Sequence, residues 1–199
     1  MKLIVISPEA EDAREPTVLA SLFAAGLTSY HLRKPAWSSE QFAAYLRAVP
    51  LEFHPRIVLH AHHDLVAEFH VGGVHERDTH EIQSNPIGYF VRSRAVHDLT
   101  ALRASLDAYD RLLVSPFFPS FSKPGYGPSS QFPAADLRAA LALPRRAEVI
   151  ALGGIDASRI AACRELGFDG VAVLGAIWQA ADPLRAFNEL HHSLHAHAA

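Results

Sequence analysis

The sequence predicts a parallel α/β fold with eight strands, and three observations carry that reading. Short β-branched runs alternate from end to end with stretches whose apolar residues recur at helical spacing. The strand segments are brief and almost continuously apolar, as expected where both faces of a sheet are covered. Nearly every connection between them reads as helix, which is how parallel neighbours are joined. Eight such units close a (β/α)8 TIM barrel. A doubly wound open sheet is the competing architecture, because periodicity does not distinguish closure from an open edge.

The elements follow in order. Lys2–Ile6 reads as the first strand, and Pro16–Ala25 as a helix with Val18, Leu19, Leu22 and Phe23 on one face and Gly26 as its stop. Ser29–Arg33 is the second strand. Ser38 then opens a helix, with Gln41 three residues on completing a capping box. Arg56–His60 is the third strand, His63–His70 a short helix, and Gly73–His75 a very short fourth strand before a polar stretch to Pro86. Ile87–Arg92 reads as the fifth strand and Asp98–Tyr109 as a helix with Leu99, Leu102 and Leu106 aligned. Arg111–Ser115 is the sixth strand, followed by a long loop from Pro116 to Phe132. Ala134–Leu141 is a helix, Glu148–Leu152 the seventh strand, and Ala157–Leu166 a helix stopped by Gly167. Gly170–Leu174 is the eighth strand, and a last helix spans about Pro183 to His195.

Composition bounds the function classes. The chain has 199 residues, 49% hydrophobic and 20% charged, which excludes disorder and fits one domain with a substantial core. No linker divides it, so residues 1–195 read as one barrel and Ala196–Ala199 as a frayed tail. A formal charge of −3 gives no electrostatic reason to expect a nucleic acid or an anionic membrane as partner. Cys163 is the one cysteine, which excludes an internal disulfide and a Cys-pair zinc site. Only four apolar residues precede Ser7-Pro8, too few for a secretory signal core, and no apolar run is long enough to span a bilayer. The cytoplasm is the expected compartment, and a homo-oligomer is compatible with the sequence. The 18 basic residues comprise 15 arginines and three lysines, Lys2, Lys34 and Lys123.

In a closed barrel the chemistry gathers at the C-terminal strand ends. Two lysines fall there: Lys34 after strand two and Lys123 after strand six. Strand seven ends in Gly153-Gly154 and strand eight in Leu174-Gly175. Glycines at those two loops let backbone N–H groups approach an anion, and a following helix adds partial positive charge. The consecutive placement favours a phosphate site over tight turns alone. In the strand-six loop, Ser115-Pro-Phe-Phe-Pro-Ser120-Phe-Ser122-Lys123, two hydroxyls alternate ahead of a lysine, an arrangement suited to phosphate oxygens. By alternation His31 and Arg33 share a side of strand two, with Arg33 nearer the mouth, where it meets an anion or a structural carboxylate. His60, His62 and His63 cluster after strand three, with His75 and His80 after strand four. Metal binding by such a cluster is weighed below a structural or substrate-contacting role, because strands five to seven offer no further ligand.

These motifs resemble the thiamine phosphate synthase/thiazole tautomerase family over essentially the whole length. The family's Gln-Leu-Arg-Glu-Lys of strand two is matched by His31-Leu-Arg33-Lys34-Pro35, and its Gly-Pro-Val-Phe-Pro-Thr-x-Thr-Lys of strand six by Ser115 to Lys123. Ala151–Ile155 and Asp169–Ile177 are similar to its closing Ala-Ile-Gly-Gly-Ile and Asp-Gly-Val-Ala-Val-x-Ser-Ala-Ile. The strand-six loop is the most diagnostic of these. The resemblance implies a (β/α)8 barrel that joins hydroxymethylpyrimidine diphosphate to a thiazole phosphate, releasing pyrophosphate, usually with Mg²⁺. It implies Arg33, Lys34, Ser93 and Lys123 as catalytic, and His31, His60, Ser120, Ser122, Gly153, Gly154 and Gly175 as substrate- or phosphate-binding. The family's Asn-Asp pair after strand three falls on His60-Ala61, and its second magnesium aspartate falls near His80, with Asp78 the nearest aspartate. The other activities such a barrel supports are isomerisation of a thiazole phosphate, with His60 or His31 as acid/base, and binding of thiazole or thiamine phosphate without turnover.

Overall fold

A computed structural model describes residues 1–76, 91–118 and 132–196. Its eight strands are β1 (Lys2–Ile6), β2 (Ser29–Leu32), β3 (Ile57–Leu59), β4 (Gly73–Glu76), β5 (Val91–Val96), β6 (Arg111–Val114), β7 (Glu148–Leu152) and β8 (Gly170–Val173). They pair in parallel in chain order, and β1 also pairs with β8, so the sheet closes. Closure decides between the two expected architectures in favour of the (β/α)8 barrel.

The helices are α1 (Glu15–Ala24), α2 (Ser39–Ala48), α3 (Leu65–Phe69), α4 (Leu99–Ser105), α5 (Ala134–Leu141), α6 (Ile160–Leu166), α7 (Gly175–Trp178) and α8 (Pro183–His195). Ser38 caps α2 in the predicted box with Gln41, while Asp98 and Asp182 accept the N3 amides of α4 and α8. Short 3-10 turns occupy Leu51–Arg56 and Ala157–Arg159; the first, and the four-residue α7, had no periodic signal to reveal them.

Strand alternation divides the buried side chains into two sets. Outward residues such as Leu32, Leu59, Leu112, Val149 and Val171 pack against Leu22, Phe42, Leu46, Leu137 and Phe187 in the sheet–helix layer. Inward, the barrel is split. Ile4, Ile6, Leu113, Ile150 and Ala172 form a separate apolar cluster on the β1, β6, β7 and β8 side. Ser29, His31, His60, His75, Ser93 and Arg111 are buried on the β2–β6 side.

Strand five differs from expectation. It is described over Val91–Val96 and so runs four residues past the expected end at Arg92; residues 87–90 of the expected strand lie outside the described residues. Arg92 and Arg94 lie over the Tyr109 ring, and Arg92 also pairs with the buried Glu76 carboxylate. An arginine-bearing strand lacks the apolar run that marks the others. Ser93 is therefore a mid-strand residue rather than a strand end, and the β5 mouth position passes to Ala95 and His97. The β4–β5 connection from residue 77, the loop 119–131 and the tail 197–199 are outside the described residues.

Candidate active site

A cavity of about 920 Å³ opens at the C-terminal ends of the strands. Its walls follow the interior split. Ile6, Leu113, Leu152, Ala172 and Leu174 give an apolar half, and Arg33, His60, His75 and His97 a polar one. The β1–α1 loop, Pro8 to Ala13, forms part of the rim and brings Glu9, Glu11 and Asp12. The Asp12 carboxyl is lowered to about 2, chiefly by hydrogen bonds from Arg14, so it is ionised at neutral pH.

Arg33 stands at the mouth because the end of β2 is tied to β1. The Ser7 hydroxyl, fully buried, donates to the Arg33 carbonyl at 3.0 Å and accepts from its amide at 2.8 Å. The guanidinium pairs with Glu9 and stays partly exposed at the rim. His31 lies one pleat below, fully buried, with its Nδ1 2.9 Å from His60 Nε2. His75 stacks on His60 with ring centres 4.1 Å apart, and its Nδ1 lies 3.0 Å from the Ser93 hydroxyl. Burial, aided by His75 and Arg111, pushes the His31 imidazole well below its ordinary value. Burial, aided by His75, His31, Arg33 and His63, does the same to His60. Both rings are neutral at pH 7.

Gly153 requires glycine on two counts. Its φ is +103°, and a Cβ there would stand 3.1 Å from Pro116 Cα. The close approach arises because the chain leaving β6 runs along the end of β7, with Phe117 and Phe118 amides donating to the Leu152 and Gly153 carbonyls. Gly154 also has positive φ, at +59°, and Gly175 begins α7. Gly153, Gly154 and Gly175 line the same cavity as Arg33 and His60.

The expected site residues thus separate. Arg33, His60, Gly153, Gly154 and Gly175 share the cavity; His31 lies beneath it, and Ser93 reaches it only through His75. Lys34 is elsewhere. Its amine lies with no exposure against the Glu15 carboxylate and the Ala10 carbonyl, outside the cavity wall. Arg33 and Lys34 follow β2 directly, and their side chains part: Arg33 goes to Glu9 at the rim and Lys34 to the buried Glu15. Asp78, Ser120, Ser122 and Lys123 are outside the described residues. The rim carboxylates and His97, whose Nδ1–H donates to the Ser115 carbonyl at 2.6 Å, carried no motif and were missed.

At the ends of β3 and β4, where the family resemblance implies the magnesium ligands, the described residues do not fit that ion. The mouth ends of β3 and β4 present His60, Ala61 and His75, where a hard cation needs oxygens, and the Glu76 carboxylate is held by Arg92 and Tyr109.

Fold and site together define a small-molecule barrel enzyme with one cavity at the C-terminal strand ends. A sequence profile of the thiamine monophosphate synthase family matches residues 3–177, and the chain belongs to that family. A thiamine-phosphate synthase of Listeria welshimeri is 27% identical, over 84% of this chain and 86% of that protein. The crystal structure of thiamine phosphate pyrophosphorylase from Bacteroides thetaiotaomicron superposes with a TM-score of 0.80 at 28% identity, covering 99% of this chain and 100% of that one. A Pyrococcus furiosus thiamine phosphate pyrophosphorylase, at TM-score 0.76 and 18% identity over 97% of this chain and 95% of that one, shares the fold. No helix of the described residues is long and apolar enough to cross a membrane.

Proposed function

We propose that residues 1–195 form one catalytic barrel domain, a transferase that couples hydroxymethylpyrimidine diphosphate to thiazole phosphate. The products are thiamine phosphate and pyrophosphate. The observation that carries this reading is one cavity holding both a mouth arginine and the glycine turns after β7 and β8. In this reading the methylene–oxygen bond to diphosphate breaks first, and the thiazole nitrogen then attacks the pyrimidine methylene. Arg33 exchanges Glu9 for the departing diphosphate, a charge-assisted contact that strengthens as negative charge develops. The N–H groups around Gly153, Gly154 and Gly175 hold the thiazole phosphate, since the first amides of a helix lack internal acceptors. The apolar wall of Ile6, Leu113, Leu152 and Leu174 keeps water from the cation and aligns the two flat rings. Lys123, Ser120 and Ser122 are proposed as further diphosphate contacts, Asp78 as an oxygen donor to an added Mg²⁺, and the cytoplasm as the compartment.

The test is a coupled assay with both substrates, with and without Mg²⁺. Thiamine phosphate and pyrophosphate are expected in equal amounts, and Arg33→Ala lowers kcat/KM roughly ten- to hundredfold. No product at high enzyme concentration overturns the synthase reading. The neutral, buried His60 at the cavity floor favours a second reading, proton transfer on a thiazole phosphate, which predicts deuterium exchange without the pyrimidine substrate.

A further inference from the structure

The polar half of the barrel interior holds a group that the coupling reaction leaves unused. His31 from β2, His60 just after β3 and His75 from β4 come from three adjacent strands, all buried, and one nitrogen from each lies within 4.8 Å of the others. Strand register produces this convergence. Val58 pairs with Gly73 and Leu59 with Val74, which brings His60 level with His75, while His31 pairs with Val58 one pleat lower. We propose that these three imidazoles form a transition-metal site at the cavity floor, taking a divalent ion of the zinc class with its remaining coordination position toward the cavity.

Hydrogen bonding prepares the ligands. The Ser93 hydroxyl donates its one proton to the Val74 carbonyl at 3.1 Å, so it accepts from His75 Nδ1–H, and the His75 lone pair is set on Nε2. That is the outer-shell arrangement by which metal-binding histidines are oriented. His31 and His60 share a single N–H···N contact at 2.9 Å. Nitrogens bound at about 2.0–2.1 Å in a tetrahedron lie about 3.3 Å apart, so little movement separates the pair into two ligands. The stacked His60 and His75 rings must open by about an ångström. His31 uses Nδ1 toward His60, and its Nε2 is buried with no partner among the described residues, so no competing hydrogen bond holds the ring back from the other two. The nearest fixed cations, Arg33 and Arg111, are each paired, with Glu9 and Glu148, which tempers their repulsion of a bound ion. Imidazole donors select zinc, cobalt, nickel or copper over magnesium.

The test is titration of the chelator-stripped full chain with Co²⁺ and then Zn²⁺. The expected result is one Co²⁺ per chain with the strong visible absorption of a low-symmetry four- or five-coordinate ion, displaced by Zn²⁺. His60→Gln and His75→Gln each weaken binding by about a hundredfold or more. Surface histidines provide the control: His191 and His195 are one turn apart on α8 with rings 4.3 Å from each other, and H191A/H195A leaves the signal intact. X-ray absorption of the zinc-loaded wild-type chain, which needs no variant to fold, shows three imidazole ligands. A wild-type chain that shows no saturable Co²⁺ spectrum, or one imidazole, overturns the site. So does a signal that survives in folded His60→Gln and disappears in H191A/H195A.

Discussion

Lys34 shows how one side chain is committed by its surroundings. Its amine contacts Glu15 and the Ala10 carbonyl and lies 5.0 Å from the Trp37 ring centre, while Tyr30 and Tyr45 donate to the same carboxylate. Burial raises both phenols, so they remain donors at any working pH. Removing one partner leaves the other charge buried, and Lys34→Met is expected to cost about 3–5 kcal/mol in urea unfolding. The double change Lys34→Met with Glu15→Leu recovers part of that loss; strictly additive losses would contradict the pairing. Cys163 is likewise determined by burial, which pushes its thiol up to about 12. At pH 8 it is expected to resist alkylation in the native chain and to react once the chain unfolds. Rapid stoichiometric labelling of native protein would contradict this. Charge type and position were legible for these residues, but the face on which Lys34 lay was not. Its direction is set by the buried Glu15 carboxylate, which only the folded chain brings to it.

At the scale of elements, the barrel depends on close backbone approaches before β4. A Cβ at Gly72 would lie 2.0 Å from the Pro55 carbonyl oxygen, which is backbone and cannot yield. Gly72→Ala is therefore expected to destabilise by more than about 2 kcal/mol. Gly26 has a φ of +99° but open space beside it, so Gly26→Ala costs about 1 kcal/mol. Comparative thermal melts check this order, and a reversed ranking would refute the clash. Most elements could be read from periodicity: α5, α8, β1 and β7 have the expected bounds. Strand five could not, because Arg92 and Arg94 face the Tyr109 side and replace the apolar signal with charge. The glycine turns were readable as turns, whereas their meeting with the Pro116 segment depends on barrel closure.

For the whole molecule, the divided interior links stability to pH. His31 and His60 are held neutral in the folded chain, facing His75, His63, Arg33 and Arg111, while the unfolded chain titrates them near 6.5. Below that value the unfolded state binds more protons. Their contribution is present above it and is lost as pH falls, by at most about 1.4 kcal/mol per pH unit for each ring. Metal-free protein should accordingly melt progressively lower between pH 7 and 5, and His31→Asn should flatten the slope. A wild-type profile flat over that range would contradict burial of neutral rings.

The sequence by itself determined the α/β class, the order of the strands, the family, and the mouth positions of Arg33, Gly153, Gly154 and Gly175. Those follow from local periodicity and from motifs whose residues are neighbours in the chain. Only the tertiary structure decided that the sheet closes, that Lys34 turns away from the cavity, and that His31, His60 and His75 meet on its floor. Each of these rests on strand register between segments far apart in the chain. Register is set by how the inward side chains share one confined interior, a quantity no local window of sequence contains.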